Sequence, residues 1–171
     1  FALENCLNDQ QEIDIKSLFS KLNDIHLEFR HNHQVLELYL NGKNINKEIR
    51  ELRVSNNVSI VAKQPEIRDF LLDFQRNLAT KGGVIMDGRD IGTVILPNAD
   101  FKFFVTASPV ERARRRHLQL QNAGTEVSYE EVFQNLITRD KIDSERDVAP
   151  LKQADDAILI DNTFLNKEET I

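Results

Sequence analysis

The sequence predicts an α/β protein built on a three-layer parallel sheet. Short apolar runs begin at Val84, Phe101 and Ala157, and helical sequence separates the second run from the third. Short apolar strands that alternate with helices are typical of parallel sheets with helices on their faces. The length of 171 residues suits one compact domain with modest insertions.

Helix bounds follow from apolar spacing and from end signals. Apolar residues recur at about 3.6-residue spacing up to Leu22, which indicates a helix at the start of the chain. Pro65 favours the first turn of another helix, which Lys81-Gly82-Gly83 ends. Further helices are predicted at about 47–62, 109–122 and 129–146, and a last one begins after Asn162 or Thr163.

A small antiparallel unit is predicted between about Ile25 and Ile49. The segments IHLEFR and VLELYL alternate between apolar and polar residues, as half-buried strands do. A polar turn at 31–34 separates them, and Asn41 to Lys43 form a second turn signal.

Composition argues against nucleic acid and membrane partners. The net charge is -6, whereas binding to a phosphate backbone favours a basic surface. No apolar run approaches the roughly 20 residues that span a bilayer. The single cysteine, Cys6, fits a reducing cytoplasm, and we expect it to be a buried structural thiol without a disulfide or metal partner.

The stretch VIMDGRDIGTVIL places charged residues between two glycines, where an apolar run ends. Ligands of parallel sheets bind beyond the carboxyl ends of the strands. At such a place Arg89 offers a planar fork that suits phosphate, and Asp87 could hold a hydrated Mg²⁺. The alternative is a turn in which the Asp and Arg side chains pair with each other or cap a helix.

A second charged segment, ERARRRHLQLQ, follows the next predicted strand. Arg112, Arg115 and Arg116 stand at positions i, i+3 and i+4, so they share one helical face. In a chain of net charge -6, such a face needs an anionic partner or internal acids. For this run alone, a solvated helix face remains the alternative.

A third segment, RDKIDSER, places Arg139, Asp143 and Arg146 on one helical stripe. Two arginines that flank an aspartate could hold a phosphate while the aspartate touches a sugar hydroxyl, and surface ion pairs are the alternative. Together the three segments predict an arginine-rich site at the carboxyl edge of the sheet. Phosphoryl transfer uses such a site, because the protein there supplies position and charge.

Three motifs in this order closely resemble those of the bacterial cytidylate kinases (CMP kinases), which are P-loop nucleoside monophosphate kinases. They are D-G-R-D-I-G-T-V, A-S-P-x-E-R-A-x-R-R and R-D-x-x-D-S-x-R-x-V-A-P-L, and the resemblance runs from Ile25 to Ile171. It implies a monophosphate-binding domain at 1–62 with the antiparallel insert at about 25–49. It also implies a core at 63–111 and 128–171 and a lid at 112–127.

The resemblance implies a role for each matched position toward the substrate CMP or dCMP. Ser59 and Arg68, which fit a pattern S-x(8)-R, would read the cytosine base together with Asp90. The residues implied to bind the rest of the substrate are Arg89 and Arg146 on the phosphate and Asp143 on the ribose.

The resemblance also implies the catalytic and cofactor contacts. Arg112, Arg115 and Arg116 would begin the lid over ATP, and Asp87 would assist Mg²⁺ through water. The implied catalytic residues are Arg139, Arg89, Arg146, Arg115 and Arg116. The implied partners are small molecules, and we expect a cytoplasmic monomer.

The base-reading set has an independent chemical rationale. Cytosine presents an amino donor at N4 and acceptors at N3 and O2. Asp90 and Ser59 can accept from N4, while Arg68 can donate to N3 or O2. Uracil would face the carboxylate with a carbonyl oxygen, and a mismatched buried polar group costs roughly 1–3 kcal/mol. We therefore expect CMP to be preferred over UMP.

No glycine of the chain begins a phosphate-binding loop of the form G-x-x-x-x-G-K-[ST]. The family's first strands and this loop are expected to precede Phe1, and the chain alone is expected to be inactive. Three other interpretations stay open: a kinase for UMP or AMP, a catalytically dead nucleotide-binding fragment, and an RNA-binding protein. The last has little support, because aromatic residues show no stacking pattern near the arginines.

Overall fold

The computed structural model of the chain describes residues 1–33 and 35–170. Gln34, which belongs to a predicted turn, and Ile171, where the family resemblance ends, lie outside the described residues. The chain divides into two compact units, 1–71 and 72–171. The division between them falls inside one helix, Pro65–Ala79.

The first unit contains the predicted antiparallel sheet, which is confirmed. Its strands are β1 (Leu27–Asn32), β2 (Val35–Leu40) and β3 (Lys43–Asn44), in the order β1-β2-β3. The register pairs Leu27 with Leu40 at one end of β1 and Asn32 with Val35 at the other. Leu27, Phe29, Leu36, Leu38 and Leu40 share one face of this sheet.

The helix predicted up to Leu22 is confirmed only at Ala2–Asn5 and Ile15–Ser20, and the prediction is wrong for the residues between them. The first helix ends at Asn5. In the turn that follows, the side-chain oxygen of Asn8 accepts hydrogen bonds from the amides of Gln10 and Glu12 at 3.0 and 2.9 Å, which offers the backbone an alternative to helical bonding. Asp14 then caps a new helix by accepting from two amides of its first turn. The helical elements of this unit are α1 (Ala2–Asn5), α2 (Ile15–Ser20), 3₁₀ turns at Leu22–Asp24 and Glu48–Arg50, α3 (Leu52–Ala62) and α4 (Pro65–Ala79), which continues into the second unit.

The core of the first unit forms where these helices meet. Cys6, Leu18 and Ile67 are buried at its centre, and the expectation of a buried thiol at Cys6 is confirmed. The partly buried apolar residues packed against them are Phe1, Ala2, Phe19, Leu22, Ile25, Val61 and Leu71.

The second unit contains two parallel strands with helices between them, which gives the chain its mixed α/β character. β4 (Phe103–Thr106) pairs with β5 (Ile158–Asp161), and Thr106 and Asp161 end the strands side by side. Ser108 caps α5 by accepting from the amide of Glu111. The helices of this unit are α5 (Pro109–Asn122), α6 (Tyr129–Glu145), α7 (Lys167–Thr170) and a π-helical turn at Ile91–Ile95.

The predicted bounds of α5 are confirmed, and α6 ends one residue earlier than predicted, with Arg146 as its C-cap. The last helix begins later than expected. Asp161 Oδ1 accepts from both the amide and the hydroxyl of Thr163, which forms a local turn there instead of a helix start. Asn166 caps α7 by accepting from the amides of Glu168 and Glu169, both at 2.9 Å.

The strand predicted at Val84 is wrong. Within the described residues β4 pairs with β5 alone, so the segment 84–86 has no ladder in which its amides and carbonyls could take part. The side chain of Ile85 is fully exposed. In the part of the chain that the structure describes, no helix combines the length and the apolar character needed to cross a membrane.

Candidate functional site

Asp143 is the centre of a cluster of arginines in the second unit. Its side chain is buried near the end of α6. Arg89 Nε donates to Asp143 Oδ2 at 3.1 Å, although the two residues lie 54 positions apart in the chain. Arg146 Nη1 lies 3.5 Å from Oδ1, and Arg139 Nε lies 3.7 Å from Oδ2. One carboxylate therefore stands against three guanidinium groups.

Local structure explains why three of these residues meet. Arg139 precedes Asp143 by four positions and Arg146 follows it by three, so the helix brings them to one face, as the sequence predicted. The chain then turns back: Arg146 Nε donates to the carbonyl of Ala149 at 2.8 Å, and the Leu151 amide donates to the Asp143 carbonyl at 2.7 Å. Ala149 has a φ of 49°, a left-handed conformation that these contacts hold in place.

Asp90 joins the cluster through Arg146. Its Oδ1 lies 3.7 Å from Arg146 Nη2, and both side chains are nearly inaccessible, at 7% and 4%. Asp90 stands at the N-terminal end of the π-helical turn Ile91–Ile95. The five side chains in the cluster carry three positive and two negative charges, so one positive charge is in excess. An excess of positive charge favours an anionic ligand.

Arg139 provides the clearest indication that the cluster suits an anionic ligand. Its Nε atom is buried and makes no hydrogen bond within the described residues. Burial lowers the pKa of the Arg139 guanidinium, and the nearby charge of Arg89 lowers it further, while Asp143 and Asp140 act in the opposite direction. A buried donor without an acceptor costs roughly 1–3 kcal/mol. A phosphate oxygen would supply both the missing acceptor and a compensating charge.

The predicted lid arginines have partners inside the protein. Arg112 Nη2 lies 2.7 Å from Asp140, and its Nε donates to the Ala107 carbonyl at 2.9 Å. Arg116 Nη1 donates to Gln119 at 2.7 Å. The Asp140 carboxylate neutralises part of the charge that the sequence predicted on one face of α5, whereas the Gln119 amide satisfies a donor of Arg116 without neutralising it.

Arg115 has a different set of contacts, which ties α5 to the loop after β5. Its Nη2 donates to the carbonyls of Asn162 and Leu165 at 2.8 and 3.2 Å, and its Nε donates to Glu111 at 2.7 Å. Arg114 also donates to Glu111, through two nitrogens. Hydrogen bonds from Arg114 and Arg115 lower the pKa of Glu111 to about 2. Glu111 thus remains a carboxylate at neutral pH and orients both arginines.

A cavity of about 660 Å³ opens between the start of α5 and the segment that follows β5. Its size is within the range of small-molecule sites. The apolar run at Ala157 predicted a strand here, but the pattern gave no sign that the residues after it would form a cavity wall with α5. The cavity is lined by Glu111, Arg114, Arg115, Asn162, Thr163, Phe164, Leu165, Asn166, Glu169 and Thr170.

The remaining predicted residues lie as follows. Ser59 is buried in α3, and Arg68 in α4 donates from Nη1 to the Ala62 carbonyl at 3.2 Å; both belong to the first unit.

Asp87 is exposed in the loop before Asp90. No group of three metal-binding side chains occurs among the described residues. A single accessible carboxylate nevertheless fits Mg²⁺, which keeps several waters and often takes only one or two carboxylates.

The parallel strand pair, the arginine cluster and the cavity are the arrangement expected of the class of α/β proteins that bind phosphate-bearing ligands. The chain matches the family described as "Cytidylate kinase" over residues 1–171 and belongs to that family.

Named relatives agree with this assignment. A cytidylate kinase of Flavobacterium johnsoniae is 47% identical over 171 residues, which are 99% of this chain and 74% of that protein. One from an Exiguobacterium species is 59% identical over 118 residues, 69% of this chain and 53% of that protein. One from Bacillus thuringiensis is 44% identical over 165 residues, 95% of this chain and 73% of that protein.

Proposed function

We propose that the protein transfers the γ-phosphoryl group of ATP to CMP, and to dCMP, to give ADP and the corresponding diphosphate. Family membership and the named relatives support the reaction class. The observation that carries the assignment to this site is Arg139, whose buried Nε makes no hydrogen bond within the described residues and stands beside Arg89, Arg146 and Asp143. A phosphate bound there would complete the cluster.

In the proposed reaction an oxygen of the CMP phosphate attacks the γ-phosphorus of ATP in line with the leaving group. A new oxygen–phosphorus bond forms, and the bond from the γ-phosphorus to the bridging oxygen of ADP breaks. The attacking oxygen is already anionic, so no side-chain base is needed. Arg89 and Arg146 hold the CMP phosphate, Arg139 stabilises the charge on the transferring group, and Asp143 binds the ribose hydroxyls.

The cavity beside Arg115 is proposed to take part of ATP. Its position next to α5 fits a lid at 112–127 that closes over the phosphates and excludes water, with Arg112 and Arg116 contributing as their internal partners are exchanged for phosphate oxygens. Mg²⁺ bound near Asp87 would neutralise phosphate charge. Removal of divalent cation with a chelator is expected to stop turnover.

Base selection is proposed to rest on Asp90, Ser59 and Arg68. Asp90 and Ser59 are buried polar groups, as a site that discriminates by hydrogen bonding requires. Arg68 would donate to the ring acceptors that cytosine offers. This set favours CMP over UMP and AMP.

The decisive experiment measures ADP release from Mg-ATP with CMP, UMP or AMP supplied in parallel. We expect release with CMP and far less with the other two. Equal turnover of CMP and UMP would contradict the base assignment and favour a pyrimidine kinase of broader specificity. Release with none of them from the product of the complete gene would contradict the proposed function and favour a nucleotide-binding protein without catalysis.

Replacement of Arg146 by Ala tests the placement of the reaction at this cluster. Turnover should fall strongly, because the residue contacts both Asp90 and Asp143 and is proposed to hold the CMP phosphate. An unchanged rate would remove the reaction from this site. Arg53→Ala is a matched control, since Arg53 is an exposed arginine on α3 whose acidic partner is Glu51.

A further inference from the structure

Asp90 is held in place by the turn that follows it. Its main-chain carbonyl accepts hydrogen bonds from the amides of Thr93, Val94 and Ile95 at 3.3, 2.9 and 3.2 Å. The bond from Ile95 spans five residues, which makes the turn π-helical; such turns are rare and often occur at functional sites. The side chain of Ile95 is buried and anchors the turn at its far end.

Arg76 secures this turn from α4. Its Nη2 donates to the carbonyl of Val94 at 3.0 Å, and its Nε donates to the carbonyl of Ile95 at 3.2 Å. These carbonyls lie at the end of the turn, where no later amide of the same turn can reach them. Arg76 and the turn belong to the same compact unit.

One peptide group connects Arg76 to Asp90. The peptide between Val94 and Ile95 accepts from Arg76 at its oxygen and donates from its nitrogen to the carbonyl of Asp90. Hydrogen bonds in such a chain polarise and strengthen one another. A guanidinium can reach two adjacent carbonyls at once because its donors form a rigid fork, whereas a lysine offers one point of charge.

We propose that Arg76 is a positioning residue that fixes Asp90 for the recognition of the cytosine base. This inference rests on the proposed function. Asp90 is buried and lies 3.7 Å from Arg146, so a small displacement of its main chain would change both its distance to the base and its contact with that arginine. A role limited to stability would instead affect CMP and UMP alike.

The test compares the wild-type product of the complete gene with Arg76→Lys. The measurements are kcat and KM for CMP and UMP, KM for ATP, and Tm. We expect the ratio of kcat/KM for CMP to that for UMP to fall roughly threefold to tenfold, mainly through a higher KM for CMP, with KM for ATP unchanged. Arg53→Lys, the same change at an exposed helical arginine, should leave the ratio at the wild-type value.

A double variant separates positioning from stability. If Arg76 acts through Asp90, then adding Arg76→Lys to Asp90→Asn should cause no further loss of selectivity. Losses that multiply would overturn the proposal, as would an Arg76→Lys enzyme with a lower Tm and an unchanged ratio. A wild-type enzyme that does not prefer CMP contradicts this inference together with the base assignment on which it rests. A wild-type enzyme that prefers CMP while Arg76→Lys keeps that preference contradicts the inference alone.

Discussion

Arg89 Nε donates to Asp143 Oδ2 across 54 positions of sequence, and this bond joins the loop after the first apolar run to the end of α6. Arg89 is partly exposed, with a side-chain accessibility of 39%, whereas Asp143 is buried at 3%. The pair therefore presents a cation to solvent and keeps the carboxylate beneath it. This arrangement suits a site that receives an anion from outside.

Asp143→Asn should lower the free energy of unfolding by about 3 kcal/mol, because it leaves buried guanidinium charge without its carboxylate. The same change raises the excess positive charge of the cluster by one. Inorganic phosphate at matched ionic strength should therefore stabilise Asp143→Asn more than the wild type, as measured by urea unfolding. Asp73→Asn, at an exposed position of α4, is the control and should change stability by less than about 0.5 kcal/mol. Equal responses of Asp143→Asn and the wild type to phosphate would contradict anion binding at this cluster.

Arg139→Gln should lower turnover by about a hundredfold or more while it raises stability. Turnover is expected to fall because Arg139 is proposed to place its charge at the transferring phosphoryl group. Stability rises by about 1 kcal/mol, because a partly exposed guanidinium whose Nε is buried and unbonded is replaced by a neutral group. Steady-state rates and thermal unfolding check the two effects. A variant that is less stable but fully active would show that Arg139 has a structural role alone.

Asp90→Asn should reduce the preference for CMP over UMP by about tenfold. An amide can donate to the carbonyl oxygen of uracil, whereas a carboxylate can only accept. The check is kcat/KM for both nucleotides at saturating ATP, and Asp155→Asn, at an exposed position, serves as the control. The same preference in wild type and Asp90→Asn would place base recognition elsewhere.

Glu111→Gln should destabilise the protein in a pH-dependent manner. The pKa of Glu111 in the folded protein is lowered from 4.5 to about 2 by hydrogen bonds from Arg114 and Arg115. A lowered pKa means that the stabilisation is fully present above pH 4.5 and is lost as the pH falls toward about 2. The difference in Tm between wild type and Glu111→Gln should therefore be constant near neutral pH and shrink below pH 4.5. A difference that grows on acidification would contradict the assignment, and Glu12→Gln at an exposed position is the control.

Local patterns predicted the parts of the site that local geometry determines. Arg139, Asp143 and Arg146 meet because helical spacing places them on one face, and this was visible in the sequence. The sequence predicted that Arg89 would join these residues, but the strand end on which that prediction depended is not formed, so no local pattern accounts for its contact with Asp143 across 54 positions. The contacts of Arg115 with Asn162 and Leu165 lie 47 and 50 positions apart and follow no periodic pattern.

The errors in the predicted fold also arise from contacts that apolar spacing does not reveal. A strand at Val84 requires a hydrogen-bonded neighbour, which an apolar run cannot reveal by itself. Between the first two helices the side chain of Asn8 accepts hydrogen bonds from nearby amides and holds a turn. Apolar spacing carries no information about such bonds. Arg76 was not singled out, because a single arginine on an amphipathic helix has no distinguishing sequence context.

The strand pair β4–β5 has a consequence for handling the protein. Phe103, Val105, Ile158 and Leu159 are each more than half exposed on it. The segment FKFFVTA combines high strand propensity with a single charge and no proline, which is the composition of an aggregation-prone stretch. Its one charged residue, Lys102, directly precedes β4, and its Nζ lies 2.7 Å from Asp156 Oδ2. A charge beside an apolar strand opposes aggregation of that strand. Concentrated samples are therefore expected to aggregate more readily under conditions that break this ion pair.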